Sequence, residues 1–264
     1  MNRSFDFFWI DAFAASPFGG NPAVVCVLER EIPDATLQNI AREFNLSETV
    51  FISRRSLGYD IRWFTPTLEV DLVGHATLAA AYVIMAELEP GQTEIEFHSR
   101  RSGLLRAYGD RALVSIELPS DTLHPCQTPT ALLSGLGLSP ARVLKGRHYI
   151  AVMNDAAEVR SIHPKFPELM RLDRPTIAVT APDTETDYVL RFFAPANGVP
   201  EDPVSGVAQC SLVPFWAAEY KRKKLKSRQL SERGGIMDCE LKGDLVVISG
   251  PCAPVARGKL DFAE

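Results

Sequence analysis

Acid–base chemistry is suggested first by Glu48, in the segment AREFNLSETVFI. An amphipathic pattern upstream predicts a helix that ends near Asn45, and the apolar run TVFI predicts a strand. A carboxylate at this junction, beside Leu46, Val50 and Phe51, would lose hydration, which raises its pKa toward the range useful for general acid–base catalysis. The alternative for Glu48 taken alone is an ordinary glutamate in a surface loop.

A second candidate is the pair Gly74 and His75, at the predicted start of an apolar helix in DLVGHATLAAAYVIM. The free amide groups and the dipole of a helix N-terminus favour an anion, such as the carboxylate of a substrate. His75 could donate to that anion or relay a proton. A capping or packing histidine is the alternative.

A third candidate lies in GVPEDPVSGVAQC, where Asp202, Ser205 and Gly206 precede another predicted helix over residues 208–216. Asp202 could orient His75 or stabilise its cationic form. The alternative is N-terminal capping of the helix, a common role of Asp and Ser. Both roles are compatible.

A fourth candidate is the turn in SPFGGNPAVV, where Gly19 and Gly20 give the backbone freedom and Asn21 precedes a proline. Such a turn can present backbone amides or the Asn21 side chain to a ligand. A plain hairpin or strand-entry turn is the alternative.

The elements that carry these residues occur twice. The segment RWFTPTLEVDLVGHATLAAAY aligns with RFFAPANGVPEDPVSGVAQCSLVPF, so that Phe64 matches Phe193 and Gly74 matches Gly206. Each copy has a strand ending in Phe-x-Pro, a loop, a glycine at a helix start and a later β-rich stretch, LVSIEL or LVVIS. The pattern predicts two similar α/β lobes, with a chance match of short motifs as the alternative. A cleft between two lobes is a common place for a ligand to bind.

Composition narrows the class of protein. The chain has 264 residues, of which 46% are hydrophobic, as in an ordinary folded protein. Its net charge of −5 and its pI near 5.6 do not favour binding to nucleic acid or to an anionic membrane. The basic run at 221–228 is interpreted as a solvated helix end, with a polyanion-binding site as the alternative. Asp6 and Asp11 interrupt the apolar start, so we expect no signal peptide or membrane anchor and a cytoplasmic protein. Five scattered cysteines indicate neither disulfides nor zinc.

The domain boundary is expected in the segment 122–140, which is rich in Pro, Ser, Thr and Gly. We therefore expect an N-terminal lobe over residues 1–125 and a C-terminal lobe over residues 126–264. A terminus could cross from one lobe to the other.

Four strings in order, DAF…PFGGNPA, NLSETVFI, FTP…GHATLAAA and FAP…EDPVSG with SERGG, resemble the PhzF-like (phenazine biosynthesis-like) family. The resemblance implies an α/β (α+β) fold of the diaminopimelate-epimerase type. Its two pseudo-symmetric lobes each have a curled, mostly antiparallel sheet or barrel around a central helix, with the active site between them. It also implies a homodimer, a small carboxylated substrate and catalysis without metal or organic cofactor.

The resemblance also implies roles for the candidate residues. The type member isomerises trans-2,3-dihydro-3-hydroxyanthranilate, and the glutamate at the position of Glu48 is thought to shuttle a proton between substrate carbons. The implied catalytic residues are Glu48, His75 and Asp202. The implied substrate-binding residues are Asn21, Ser47, Gly74, Ser205, Gly206 and Val207.

Two departures from the family pattern concern specificity. The common G-S-A-H is G-V-A-Q here, so Val207 replaces a serine and Gln209 replaces a histidine. We therefore expect that the substrate could differ from the phenazine precursor.

Two other functions share this fold. A two-thiol racemase or epimerase needs a cysteine at each helix start, but these positions hold His75 and Val207, and Cys210 lies three residues inside the predicted helix, where we expect a buried core thiol. A non-catalytic small-molecule binder would be compatible with Val207 and Gln209. The joint presence of Glu48, His75 and Asp202 argues against it.

Overall fold

The computed structural model describes residues 2–263, with side chains described over residues 4–262. The chain forms two compact units. Unit 1 holds the residues up to Glu117 and those from Ser249 onward, and unit 2 spans Leu118–Ile248. The boundaries thus differ from the expected 1–125 and 126–264, because the last strand pairs antiparallel with the first, from Asn2 opposite Ala263 to Ala12 opposite Cys252.

Unit 1 is a mostly antiparallel sheet. Its strands are β1 (Asn2–Ala12), β2 (Asn21–Leu28), β3 (Glu48–Arg54), β4 (Tyr59–Phe64), β5 (Glu69–Val70), β6 (Glu94–Ser99), β7 (Gly103–Gly109), β8 (Val114–Pro119) and the last strand, β18 (Cys252–Ala263). They pair in the order β18–β1–β2–β3–β4–β6–β7–β8, with β5 also on β4. The pairs β2–β3 and β4–β6 are parallel.

Two helices pack against this sheet. Helix α1 (Asp34–Phe44) is amphipathic and packs Leu37, Ile40 and Ala41 into a cluster with residues of β1 to β4. Helix α2 (Gly74–Val83) is apolar on every side and buried along its length, and it contacts β1, β2, β3, β7 and β18. A helix with no polar face must be enclosed, so the sheet curls around α2. A π-helical turn, Ile84–Leu88, follows it.

Unit 2 is built in the same order. Its strands are β9 (His124–Pro125), β10 (Arg142–Lys145), β11 (Tyr149–Val152), β12 (Ile177–Pro182), β13 (Tyr188–Ala194), β14 (Val199–Asp202), β15 (Lys224–Gln229), β16 (Gly235–Lys242) and β17 (Leu245–Gly250). Its helices are α3 (Thr130–Leu136), α4 (Ala156–Ser161), α5 (Phe166–Leu169) and α6 (Gly206–Tyr220), with a 3-10 turn at Pro195–Asn197. The pairs β11–β12 and β13–β15 are parallel, as β2–β3 and β4–β6 are in unit 1. The predicted duplication is therefore present in the strand pairing.

An arginine–glutamate pair repeats with the fold. Arg62 Nε lies 2.7 Å from Glu69 Oε1, and Arg191 Nε lies 2.8 Å from Glu201 Oε1. Each guanidinium also donates a second bond from Nη2 to the other carboxylate oxygen. Both guanidinium carbons lie 5.0 Å from the ring centroid of the phenylalanine two residues on. These paired contacts join β4 to β5 and β13 to β14, which lead to the two central helices.

The basic run at 221–228 is only in part the helix end that was expected. Helix α6 ends at Tyr220 with Lys221 in a left-handed conformation, and a strand begins at Lys224. In that strand Leu225, Ser227 and Gln229 are buried and alternate with more exposed residues, which is the two-residue period of a strand. The run is thus a helix end followed by β15.

No helix within residues 2–263 has the length and apolar character needed to cross a membrane.

Candidate active site

Three residues of unit 1 meet at the starts of their elements. Asn21 is the first residue of β2, Glu48 is the first of β3 and His75 is the second of α2. The parallel pairing places Ala23 opposite Glu48, which brings the starts of both strands to one edge of the sheet. The sequence therefore placed Glu48 and His75 correctly on their elements, and the fold brings them together.

The contacts within this group are direct. His75 Nε2 lies 3.3 Å from Glu48 Oε2, in contact but without the alignment of a hydrogen bond. Asn21 Nδ2 lies 3.1 Å from His75 Nδ1. Ser47 Oγ donates to Asn21 Oδ1 over 3.3 Å. We call Asn21, Glu48 and His75 the acid–base group.

Burial makes His75 neutral. Its side chain is 4% exposed, and desolvation lowers the pKa of His75 from 6.5 to about 3. The desolvation that lowers the pKa of His75 disfavours its cationic form, and a role of Asp202 beside it stays a prediction. Both ring nitrogens already face side chains of unit 1, Asn21 and Glu48, which orient the ring.

Glu48 is the member of the group that a ligand can reach. Its side chain is 16% exposed, four times the fraction for His75. A partly exposed carboxylate next to a neutral imidazole can exchange a proton with a bound carbon acid. The imidazole, with a pKa near 3, is a poor base at neutral pH.

The start of α2 is suited to an anion. The residue before it, Val73, offers no capping side chain, and the first turn holds no acidic residue. Gly74, His75 and Ala76 are all buried. A buried helix start leaves amide groups that need an acceptor, and a carboxylate is one that fits.

The turn before Asn21 requires glycine at position 20. Gly20 has φ of +60°, and a Cβ there would lie 2.1 Å from the carbonyl oxygen of Ala12. The buried Asp11, which the sequence analysis did not single out, accepts the Phe18 amide through Oδ2 at 2.7 Å. The turn therefore leads directly into β2, and it places the Asn21 side chain in the interior of unit 1.

Gly20→Ala is expected to destabilise the protein by more than the roughly 1–2 kcal/mol that a left-handed alanine costs, because of the added clash with Ala12. Gly137→Ala is the matched control: its φ is +71°, and a Cβ there meets nothing within 4 Å. Urea unfolding of both variants measures the difference. Equal losses of stability would show that the clash relaxes at no cost.

The predicted residues of unit 2 lie around the start of α6. Asp202 ends β14, Ser205 is the residue before the helix, and Gly206 and Val207 form its first turn. Ser205 Oγ accepts the amide of Ala208 at 3.4 Å. Ser205 is therefore the cap, and Asp202 is not.

Gln229 fixes this loop, although the sequence analysis did not select it. Its Nε2 donates to the Asp202 carbonyl over 2.6 Å, and its Oε1 accepts the Ser205 amide over 2.8 Å. Ser231 Oγ donates to the Pro203 carbonyl over 2.6 Å. Gln229 and Ser231, the first residue of the string SERGG, therefore hold the loop EDPVSG in place through these three hydrogen bonds.

Gln229→Leu is expected to lower the free energy of unfolding by about 1–3 kcal/mol, because it leaves the buried Ser205 amide without its acceptor and removes a donor to the half-buried Asp202 carbonyl. Thermal or urea unfolding measures this loss, with the exposed Gln127→Leu as the control that changes the same atoms elsewhere. Similar stability of the two variants would mean that water replaces both bonds of Gln229.

Gln209 and Val207 have different surroundings. Gln209 is fully buried, and its Oε1 accepts the hydroxyl of Tyr188 at 2.5 Å. Its amide nitrogen faces the sulfur of Met237 at 3.7 Å. Gln209 is thus a core residue of unit 2, and Val207, which is partly exposed, is the departure able to touch a ligand.

The duplication shows what occupies the same positions in unit 2. Thr49 pairs with Phe64, and Ile177 pairs with Phe193, so the counterpart of Glu48 is Thr176. The counterpart of His75 is Val207, since Gly74 matches Gly206. By the strand pairing, the counterpart of Asn21 is Gly146. The acid–base group exists in one copy.

His148 and Thr176 instead contact each other in unit 2. His148 Nδ1 lies 2.5 Å from Thr176 Oγ1, and burial lowers the pKa of His148 to about 4. Neither residue follows a sequence pattern that would have identified it. A hydroxyl at the Glu48 position cannot act as a base near neutral pH.

The cysteines are poor nucleophiles. Cys210 is 1% exposed inside α6, and burial raises its pKa to about 12, as expected for a core thiol. Burial also raises the pKa of Cys239 to about 12. Within residues 2–263 no group of His, Cys, Asp or Glu is arranged to hold a metal, and catalysis without a cofactor stays a prediction.

Comparison with known proteins settles the family. The family model described as phenazine biosynthesis-like protein matches residues 10–258. The chain belongs to the phenazine biosynthesis-like family. It is 43% identical to a Pseudomonas aeruginosa protein named as an uncharacterized isomerase, over 96% of this chain and 97% of that one. The predicted class of enzyme, an isomerase, is confirmed.

Solved structures confirm the fold. A PhzF-family protein of Enterococcus faecalis superposes with a TM-score of 0.94 at 36% identity, covering 98% of this chain and 99% of that one. A hydroxyproline epimerase from Agrobacterium vitis, solved with trans-4-hydroxy-L-proline, superposes with a TM-score of 0.67 at 10% identity, covering 99% and 94%. The second likeness shows a shared epimerase-type fold and nothing about substrate.

Proposed function

We propose that this protein is a cofactor-independent isomerase that moves a proton between two carbons of a small carboxylated substrate, with Glu48 as its single acid–base residue. The observation that carries the proposal is the asymmetry of the duplicated fold. Glu48, His75 and Asn21 meet in unit 1, and Thr176, Val207 and Gly146 stand at the same positions in unit 2. Inversion by two bases would need an acid or base in each copy.

The proposed reaction keeps every proton accounted for. The Glu48 carboxylate removes a proton from one carbon of a conjugated system, and the electron pair delocalises into that system. The resulting carboxylic acid returns the same proton to another carbon, which restores the carboxylate. Product and substrate are isomers, and no oxidant or reductant is needed.

The remaining predicted residues bind and orient the substrate in this proposal. The amides at Gly74 and His75, which no side chain of Val73 caps, bind an anionic group, and they would stabilise negative charge that develops as the proton leaves. Ser205, Gly206 and Val207 keep their predicted role in binding, and Asp202, which was predicted to be catalytic, orients the substrate in this proposal. Substitution of Val207 is expected to change KM and the choice of substrate more than kcat for a good substrate.

The test begins with trans-2,3-dihydro-3-hydroxyanthranilate and a panel of small unsaturated carboxylates, incubated with the protein in heavy water. Ultraviolet spectra and mass spectrometry follow isomerisation and deuterium uptake. Turnover of any member, lost in Glu48→Gln, supports the proposal. Binding by thermal shift without isomerisation, across the panel, would indicate a non-catalytic binding protein instead.

Assembly and location are separate proposals taken from the family resemblance and the sequence. We propose a homodimer, tested by the molar mass from light scattering, where a monomer mass would refute it. A cytoplasmic location is tested by cell fractionation.

A further inference from the structure

We infer that Asn21 is a positioning residue that holds His75 in the tautomer with its ring proton on Nε2, facing Glu48. The inference rests on the proposed acid–base role of Glu48. It assigns Asn21 and Ser47 to the support of the acid–base group, in place of the direct substrate binding expected from the sequence.

The hydrogen-bonding capacities of the two side chains set the tautomer. The Asn21 amide nitrogen can only donate, and it lies 3.1 Å from His75 Nδ1. Nδ1 must therefore present its lone pair. A neutral imidazole carries one ring proton, which is then on Nε2.

Ser47 contacts the other end of the Asn21 amide. The Ser47 hydroxyl donates to Asn21 Oδ1 over 3.3 Å, while Nδ2 faces the imidazole. Asn21 is fully buried, with both ends of its amide engaged inside unit 1. An amide used in this way has no exposed atom to offer a substrate.

The opposite tautomer would place two acceptors together. A bare Nε2 lone pair would face Glu48 Oε2 at 3.3 Å, which is repulsive when Glu48 is ionised. A proton on Nε2 makes the same contact attractive and holds the carboxylate in one direction. Such contacts are often loose before substrate binds and can shorten in the complex.

The duplicated copy supports a joint role. Gly146, Thr176 and Val207 replace the amide, the carboxylate and the imidazole together at the matching positions of unit 2. An amide needed only to stabilise the strand entry would have no reason to occur in the same copy as the imidazole and the carboxylate. The pattern fits an amide that serves the other two residues.

Long-range proton–nitrogen NMR of histidine-labelled protein tests the inference without any substrate. The five histidines are few enough to resolve, and His75→Gln identifies the signals of His75 by their loss. We expect a protonated Nε2 and a bare Nδ1 in the wild type at neutral pH. A proton on Nδ1 of His75 would overturn the inference, whatever the protein catalyses.

Asn21→Asp gives the second arm of the test. An aspartate accepts from Nδ1–H, so it should move the ring proton away from Nε2. Asn197→Asp adds the same charge at an exposed position and should leave the tautomer unchanged. With an active substrate, Asn21→Asp is expected to lower kcat at least about tenfold and to shift the acidic limb of its pH profile. An unmoved tautomer in folded Asn21→Asp would also overturn the inference; if this variant fails to fold, the wild-type spectrum decides.

Discussion

Glu48→Gln is expected to lower kcat/KM by about 10³–10⁴-fold while the protein stays folded. Gln has nearly the same shape as Glu but cannot accept and return a proton, and positioned acid–base groups contribute about 10²–10⁴-fold. Thr176 and Val207, which occupy the matching positions of unit 2, offer no second base there. Steady-state kinetics on the active substrate measures the loss.

The control is Glu43→Gln, which makes the same chemical change at an exposed position of α1. It should retain wild-type kinetics and stability. Glu48→Gln should also still bind the substrate, so that its KM or Kd changes little. A Glu48→Gln enzyme with more than about a tenth of wild-type kcat would remove Glu48 from the chemistry.

The second large effect concerns stability at low pH. Burial lowers the pKa of His75 from 6.5 in the unfolded chain to about 3 in the folded one. Between these values the unfolded state binds a proton that the folded state does not, so stability falls as pH falls, by about 1.4 kcal/mol per pH unit for this residue. This contribution is fully present above pH 6.5 and lost as pH drops toward 3.

His75→Gln should therefore flatten the pH dependence of stability. Urea unfolding from about pH 7.5 to about pH 4.5 should show the wild type losing about 3 kcal/mol more than the variant. His148, whose pKa is lowered to about 4, adds a loss of the same sign in both proteins and cancels in the comparison. Parallel pH profiles would mean that His75 is not buried as a neutral residue.

Local sequence signals predicted much of this site. The helix that ends at Phe44 with a left-handed Asn45, the strand that starts at Glu48 and the helix that starts at Gly74 follow from periodicity and end signals. The match of Phe64 to Phe193 predicted the duplicated lobes. These features depend on residues that are close in sequence, so they could be predicted from the sequence alone.

The rest depends on contacts between distant segments. The pairing of β18 with β1 joins the chain ends and leaves no local pattern, so the sequence allowed a terminus to cross between lobes without showing which one does. Gln229 holds a loop whose residue Asp202 lies 27 positions away in the sequence. The neutral state of His75 depends on the strands that enclose α2, which one helix sequence cannot reveal.

The most direct test of the single-base account is label transfer within one turnover. The active substrate is prepared with deuterium on the carbon that loses its proton, mixed with excess enzyme in ordinary water, and the product is analysed by mass spectrometry and NMR. With a single base, a fraction of the product is expected to carry deuterium on the receiving carbon, delivered by Glu48. Complete loss of the label, with hydrogen from water on the opposite face, would indicate two bases and contradict it.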